Sequence, residues 1–352
     1  MRNKLLSLFA ACAVCTAVCI AVSSCKSSPT APVQTPAHLT GYGVYVINQG
    51  GTNIPSTIDC LDLQNGKYFS NIVLGSISLG SDGNDLVKGN GDSLYLVMEN
   101  SNRIYLISDT SGKILATDTS SSFNIPYKMV LLNDSIAAIA EYNSNSVTIY
   151  NLRTMTVLHD ITVGDNPQGL AYADSKLYVA CPGSGTVPEK LIYVLSPAGA
   201  TLTYASLDPD PVAVKSLGDS LVLVLCSGTY LSSPSDAALD FVDPKTDNVV
   251  AHISLPTNVY SFALDGNDCY MQAGNVILHT DISKRAGVDT AISNAAFVSL
   301  YGITVDTATH NIYVSDGKNY TSAGALYQCD PKGHLLQTYT TGIIPGPILV
   351  VH

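Results

Sequence analysis

The sequence predicts an all-β fold in which seven four-stranded antiparallel units close into a ring. Three observations predict it. Pro126, Pro167, Pro211 and Pro256 recur at steps of 41, 44 and 45 residues, and Pro345 lies 89 beyond, two more such steps. A fixed period of this length marks a radial or stacked repeat. Each period writes four short runs rich in β-branched residues and Tyr, parted by turn residues, and no stretch sustains a 3.6-residue apolar period. Residues 44 to 351 make 308 residues, or seven units of 44, and the two ends are incomplete in complementary ways. Together these describe a seven-bladed β-propeller closed by pairing of the N- and C-terminal strands in one blade.

Taken in chain order, VYVINQ at residues 44 to 49 reads as the second strand of a unit that lacks a first. The following unit carries the turn Gly91-Asp92-Ser93 before an apolar run. The third is the clearest: PYKMVLLN, SIAAIAEY, SVTIYNLR and TVLHDITVG fill residues 126 to 164, with Asn133-Asp134-Ser135 at the first reversal. Ala173-Asp174-Ser175 and Gly218-Asp219-Ser220 repeat that reversal, because Asp, Asn and Gly tolerate the backbone of a tight turn. From residue 259 to 299 the turn signals blur, and the strand from Cys269 to Asn275 is short, so register there is open although the unit count is not. GPILVVH at residues 346 to 352 reads as a first strand with nothing after it. Joining it to VYVINQ removes two open sheet edges.

The 352-residue chain is 46% hydrophobic and 13% charged, enough to bury a large core. The body is expected over residues 42 to 352, preceded by a leader and a tether. Residues 1 to 24 hold a basic start, MRNK, then the 18-residue apolar run LLSLFAACAVCTAVCIAV, then small residues before Cys25. That pattern resembles the lipobox of bacterial lipoproteins, which implies cleavage before Cys25, acylation of its thiol and a lipid anchor in a membrane. A plain signal peptide or an uncleaved anchor is the alternative, since the apolar run is nearly long enough to span a bilayer. Lys26 after the cysteine favours, by the same resemblance, the outer membrane, facing either the cell surface or the periplasm. KSSPTAPVQTPAHLTG reads as a flexible tether over residues 25 to 41. Without Arg2 and Lys4 the chain has 15 basic and 28 acidic residues, a net charge of −13, which excludes nucleic acid as a partner. Five cysteines then remain besides Cys25, widely spaced, and are expected as small buried strand residues and not as a disulfide or metal set.

LYVAC, IYVSDGKN and IAEYNSNSVTIYNLRTMTVLHDITVGDNPQGLAY resemble the YVTN repeat of the YncE-like propeller family. The repeat is informative for fold and poor for function. Among lipoproteins of this kind, the chain is similar to the surface cobalamin-binding propellers called BtuG-like. That resemblance implies capture of a nutrient, of corrinoid or cobalamin type, on one face, and an outer-membrane TonB-dependent transporter as partner.

In such a ring each first strand lines the central channel. The loops leading into first strands share an upper face with those joining second and third strands, and the Asp-Ser turns lie on the lower face. Insertions such as CPGSGTVPEK, CSGTYLSSPSDA and DGKNYTSAGA fall on the upper face, where binding residues accumulate. The candidate ligand-binding residues follow the ring: Asp82 and Asn84; Asn124 and Tyr127; Asp165, Asn166 and Gln168; Asp208 and Asp210; Tyr230; Asn258 and Tyr260; Tyr301; Asn319 and Tyr320. Tyr stacks and donates, and amides both donate and accept, which suits a ligand with polar amides on an apolar body. Glu99 and Glu141 stand at the same place in neighbouring units, as an acid–base pair, a cation site or plain rim charges. The histidines scatter over different units, with no metal triad and no Ser-His-Asp arrangement, so no metal or cofactor is expected. The leading reading is a non-enzymatic binding protein. An interaction scaffold without small ligand, marked by aromatic patches on the blade sides, and a metal-dependent lactonase or quinoprotein-like enzyme are the alternatives.

Overall fold

The computed structural model describes residues 38–352, apart from residues 52, 74–77, 119, 121, 185–187, 231 and 234. The leader, Cys25 and most of the tether lie outside the described residues. The body begins earlier than Tyr42, because Leu39 is buried and its amide donates to Thr110 O at 3.0 Å, while Thr40 N donates to Asp62 Oδ2 at 2.9 Å. One apolar side chain in the polar tether is enough to dock its end.

Among the described residues, twenty-eight strands form seven four-stranded antiparallel sheets. β1 Gly43–Asn48, β2 Thr57–Asp62 and β3 Tyr68–Phe69 begin the chain and belong to the last-closed blade, blade 7. Blade 1 is β4 Gly83–Lys88, β5 Leu94–Met98, β6 Arg103–Ile107 and β7 Ile114–Asp118; blade 2 is β8 Pro126–Asn133, β9 Ile136–Glu141, β10 Ser146–Asn151 and β11 Thr156–Thr162. Blade 3 is β12 Gly169–Ala173, β13 Lys176–Ala180, β14 Leu191–Leu195 and β15 Thr201–Ser206; blade 4 is β16 Pro211–Ser216, β17 Val222–Cys226, β18 Ala238–Asp243 and β19 Asn248–Ser254. Blade 5, where the turn signals blur, keeps the same plan with β20 Ser261–Asp265, β21 Asp268–Ala273, β22 Val276–Asp281 and β23 Asp289–Ser293. Blade 6 is β24 Leu300–Asp306, β25 Asn311–Asp316, β26 Ala323–Cys329 and β27 Leu335–Ile343, and β28 Pro345–Val351 supplies the first strand of blade 7. Closure is by β28 against β1, with Val44 opposite Val350 and Tyr45 opposite Leu349.

The core lies between the blades. Seven apolar clusters fill the seven junctions. Val44 and Val46 of β1 pack with Tyr313 and Leu326 of blade 6, whereas Tyr45 and Ile47 pack with Leu86, Leu94 and Leu96 of blade 1. A second strand is therefore buried on both faces, and β1, β5 and β17 read as continuous apolar runs. Fourth strands such as β11 and β19 form the wet outer edge and alternate. All five cysteines among the described residues are unpaired and buried in strands or at their ends. Among the described residues no helix is long and apolar enough to cross a membrane.

Candidate functional site: the upper mouth of the ring

The backbone that carries the mouth is set by a repeated irregularity. In five first strands the register slips near the start: at Asn84 of β4, Tyr127 of β8, Val212 of β16, Tyr301-Gly302 of β24 and Gly346-Pro347 of β28. Such bulges re-aim the extra side chain and sharpen the strand's twist. In four of the five, the residue just before the strand has a left-handed backbone: Asp82 (φ 57°), Ile125 (61°), Asp210 (62°) and Ile344 (52°). Ile is β-branched and strained in that region, so the ring must hold those residues there. Pro126, Pro211 and Pro345 follow three of them as first strand residues, a place where a missing N–H does no harm. Three of the five periodic prolines, Pro126, Pro211 and Pro345, thus mark bulged strands, whereas Pro167 and Pro256 lead into the unbulged β12 and β20.

Tyr127 and Tyr301 occupy the second position of β8 and β24, on first strands three blades apart round the ring. Burial pushes the Tyr127 phenol well up, and the nearby Tyr301 and Glu99 add to the shift, which places the three groups around one mouth. Tyr142 stacks on Tyr127 with centroids 5.8 Å apart. Asn84 is buried and donates to Tyr127 O at 3.2 Å. Burial likewise raises the pKa of Tyr301, whose other neighbours are Gln49, Glu99, Tyr320 and Asp82. Glu99 sits among them with its carboxyl pushed up to about 6, by burial first and by Asp82 second. Gly302 lets the first strands of blades 6 and 7 approach: a Cβ there would lie 2.4 Å from Gly346 O. Ser315 Oγ locks that approach, accepting from Gly302 N at 2.8 Å and donating to Gly346 O at 2.8 Å.

Of the sequence-predicted residues, Asp82, Asn84, Tyr127, Tyr301 and Tyr320 thus form one group. Asp210, Tyr230 and Tyr260 form a second, electrostatically linked on the blade 4 to 5 side, with the Asp210 carboxyl raised by burial. The remaining polar groups are largely committed to holding the upper loops together. Asn100 donates to Asp82, Asn143 to Asn124 at 3.1 Å, Asn145 to Asp165 at 2.8 Å, and Ser227 to Asp210. Asn166 Nδ2 donates to Gly183 O at 2.7 Å, Asn258 Nδ2 donates to Ser227 O, and Asn319 Oδ1 caps the turn at Thr321 and Ser322. Gln168 pairs through its backbone with Ala180 O at 3.0 Å. The loop that leads into a blade is therefore stapled to the loop crossing beside it, while the rings of Tyr230, Tyr260, Tyr301 and Tyr320 stay exposed.

Glu99 belongs to the mouth group, whereas Glu141 is held within its own blade. Glu141 is buried, accepts from Asn124 N at 2.8 Å through Oε2, leaves Oε1 without a partner, and is pushed up to about 8 by burial. Below the mouth, a channel cavity of about 320 Å³ is lined by Asp85, Lys128, Lys215 and Thr304 among others, features the sequence reading did not single out. Lys128 pairs with Asp85 at 2.7 Å, and the pKa of the Lys215 ammonium, accessible within the channel, is lowered by the crowding of the channel walls first and by the Lys128 ammonium second. The scattered histidines mostly meet one aspartate each: His279 with Asp268, His310 with Asp265, His334 with Asp330 and His352 with Asp306. His252 differs, because the fold sets it beside both Asp208 and Asp240, a three-donor set that corrects the expectation of wholly dispersed ligand types. Asp240 and His252 are cross-strand neighbours, a relation visible only once β18 and β19 are in register.

No family model and no curated protein matches the chain. Among solved structures, the hydrazine synthase of Kuenenia stuttgartiensis is similar with a TM-score of 0.61 at 15% identity, covering 78% of this chain and 92% of that one. At that identity the likeness shows the fold alone. A seven-bladed propeller fixes the framework, and the side chains that its loops present decide what it does.

Proposed function

We propose that this propeller is a non-enzymatic capture protein that binds a polar nutrient with an apolar body, of corrinoid type, across its upper mouth. Acylated Cys25 holds it on the outer membrane, where it delivers the nutrient to a TonB-dependent transporter. The observation that carries the reading is the placement of the exposed tyrosines. Tyr230, Tyr260, Tyr301 and Tyr320 are 77%, 53%, 40% and 45% exposed, and all lie in upper-face loops or at the head of a first strand. The exposed apolar residues of the blade sides, Leu115, Leu158, Leu202, Tyr204, Val250 and Leu336, are spread over five outer strands, and the aromatic contacts there are two separate pairs, Tyr193 with Tyr204 and Tyr68 with Tyr339, which support the scaffold reading less than the tyrosines grouped at the mouth support capture. Calorimetric titration of the protein with cyanocobalamin tests the proposal. Saturable binding is expected, weakened at least tenfold, or about 1.4 kcal/mol, in Tyr127→Ala or Tyr301→Ala. Absence of heat, or binding indifferent to both substitutions, removes the corrinoid reading of this mouth.

A further inference from the structure

Buried carboxylates pin the loops that lead into several blades. In blade 7, Asp59 accepts from Gly342 N at 3.3 Å, Asn71 N at 2.8 Å and Tyr68 Oη at 2.8 Å. In blade 6, Asp316 accepts from Val298 N and Ser299 N, both at 2.9 Å, and from Lys318 Nζ at 3.0 Å. In each case the carboxylate is surrounded by donors: backbone amides, a phenol, an ammonium.

Blade 4 departs from this. Asp240 is 1% exposed; its Oδ2 accepts from Asp208 N at 2.8 Å and from the Cys226 thiol at 3.5 Å, while its Oδ1 has no partner among the described residues. What faces it is a second carboxylate, Asp208, and the imidazole of His252, whose Nδ1 lies 3.3 Å from Asp208 Oδ2. One ligand atom from each of the three residues lies within 4.8 Å of the others. At the corresponding register of blade 2 the pair is Thr148 and Asp160, a hydroxyl donating to a carboxylate at 2.7 Å, which satisfies itself. Blade 4 has replaced donor and acceptor by two acids and an imidazole. Like charges converging on a buried point require a cation or a proton between them.

We infer that Asp208, Asp240 and His252 form a site for one divalent transition-metal ion of the Zn²⁺ or Mn²⁺ class, at the junction of blades 3 and 4. The imidazole nitrogen disfavours Ca²⁺ and Mg²⁺, which prefer all-oxygen ligands. Three protein donors leave positions for water or a ligand. The His252 and Asp208 side chains, 58% and 34% exposed, put those positions on the solvent side. The ion would tie the loop leaving blade 3 to the third and fourth strands of blade 4. This goes beyond nutrient capture at the mouth and stands whether or not that reading holds.

The test uses the full chain in detergent, stripped with a chelator, dialysed and titrated with ZnCl₂ and with MnCl₂ by calorimetry, with bound metal counted by emission spectroscopy. One equivalent is expected, with affinity reduced at least tenfold in Asp208→Asn, Asp240→Asn and His252→Ala and unchanged in His279→Ala. The bound ion should raise the melting temperature of the parent and not that of His252→Ala. Asp240→Asn keeps an acceptor for Asp208 N, and His252→Ala alters only an exposed side chain, so a folded variant is at hand. Failure to bind an equivalent of either metal overturns the site, as does binding undiminished in His252→Ala. Failure to bind together with a higher melting temperature in Asp240→Asn assigns the cluster to a proton shared by the two carboxylates, which also overturns it.

Discussion

Glu141 shows how burial sets the chemistry of a single side chain. Its carboxyl has one backbone donor, no partner on Oε1 and a pKa pushed up to about 8, so at neutral pH it is held as the acid. A carboxyl raised in the folded state favours folding fully below its ordinary range near 4.5. That contribution is then lost at about 1.4 kcal/mol per pH unit until the folded pKa is passed. Glu141→Gln, which cannot ionise, is therefore expected to gain on the parent between pH 5 and pH 8, as read by urea unfolding at both values. A gap between the two proteins that stays constant with pH would show that the carboxyl is ionised in the fold. The tyrosines differ in kind: Tyr127 is stacked and enclosed, while Tyr230 and Tyr260 stand in solvent with no partner of comparable area. An exposed ring of that size is easier to account for as a contact surface than as a packing element.

At the scale of the element, the bulged first strand is the unit that builds the mouth. A left-handed residue precedes four of the five bulges, in three of them followed by Pro, and a bulge turns a side chain out of the regular alternation. β12 and β20 lack the slip and present Leu170 and Phe262 to the core at the position where β8 and β24 carry Tyr127 and Tyr301. The tyrosines carried by first strands therefore stand on blades 2 and 6, while Tyr230 and Tyr260 come from loops of blades 4 and 5. Gly302→Ala is expected to destabilise the protein by about 1–3 kcal/mol, because its Cβ meets the backbone oxygen of Gly346 and not a flexible side chain. It should also weaken ligand binding by displacing Tyr301. An alanine variant with unchanged urea midpoint would mean that β24 and β28 are not locked together as described.

At the scale of the whole molecule, stability rests on the seven junctions. Each blade buries its second strand on both faces, so no blade is satisfied without two neighbours. Deleting residues 345–352 would strip β1 of its inner partner and open the ring. The expected result is loss of the cooperative thermal transition seen by circular dichroism, since an open edge and two half-exposed clusters replace one closed junction. A truncated chain that melts like the parent would show that closure contributes little. Net charge acts at this scale too: at −11 for the full chain, the surface repels polyanions and leaves the Lys128 and Lys215 ammoniums of the channel as a local exception.

The fold was legible because its signals are local. The proline steps, the Asp-Ser turns and the half-units VYVINQ and GPILVVH each reflect a turn or strand that must satisfy its own backbone, and a ring of seven is the sum of such constraints. Blade 5 was blurred because its turns use Gly266 and Gly274 without the Asp-Ser pattern, although the strands between them are ordinary. The site was legible only as a list of upper-face residues. Which of them share a mouth, and which are committed to stapling loops, depended on bulges and on contacts between blades. The meeting of Asp208, Asp240 and His252 was hidden for the same reason: the three lie up to 44 residues apart in the chain and become neighbours only through strand register and blade order. Local backbone chemistry determines the repeat, and the long-range packing of one repeat on the next determines what the repeat can bind.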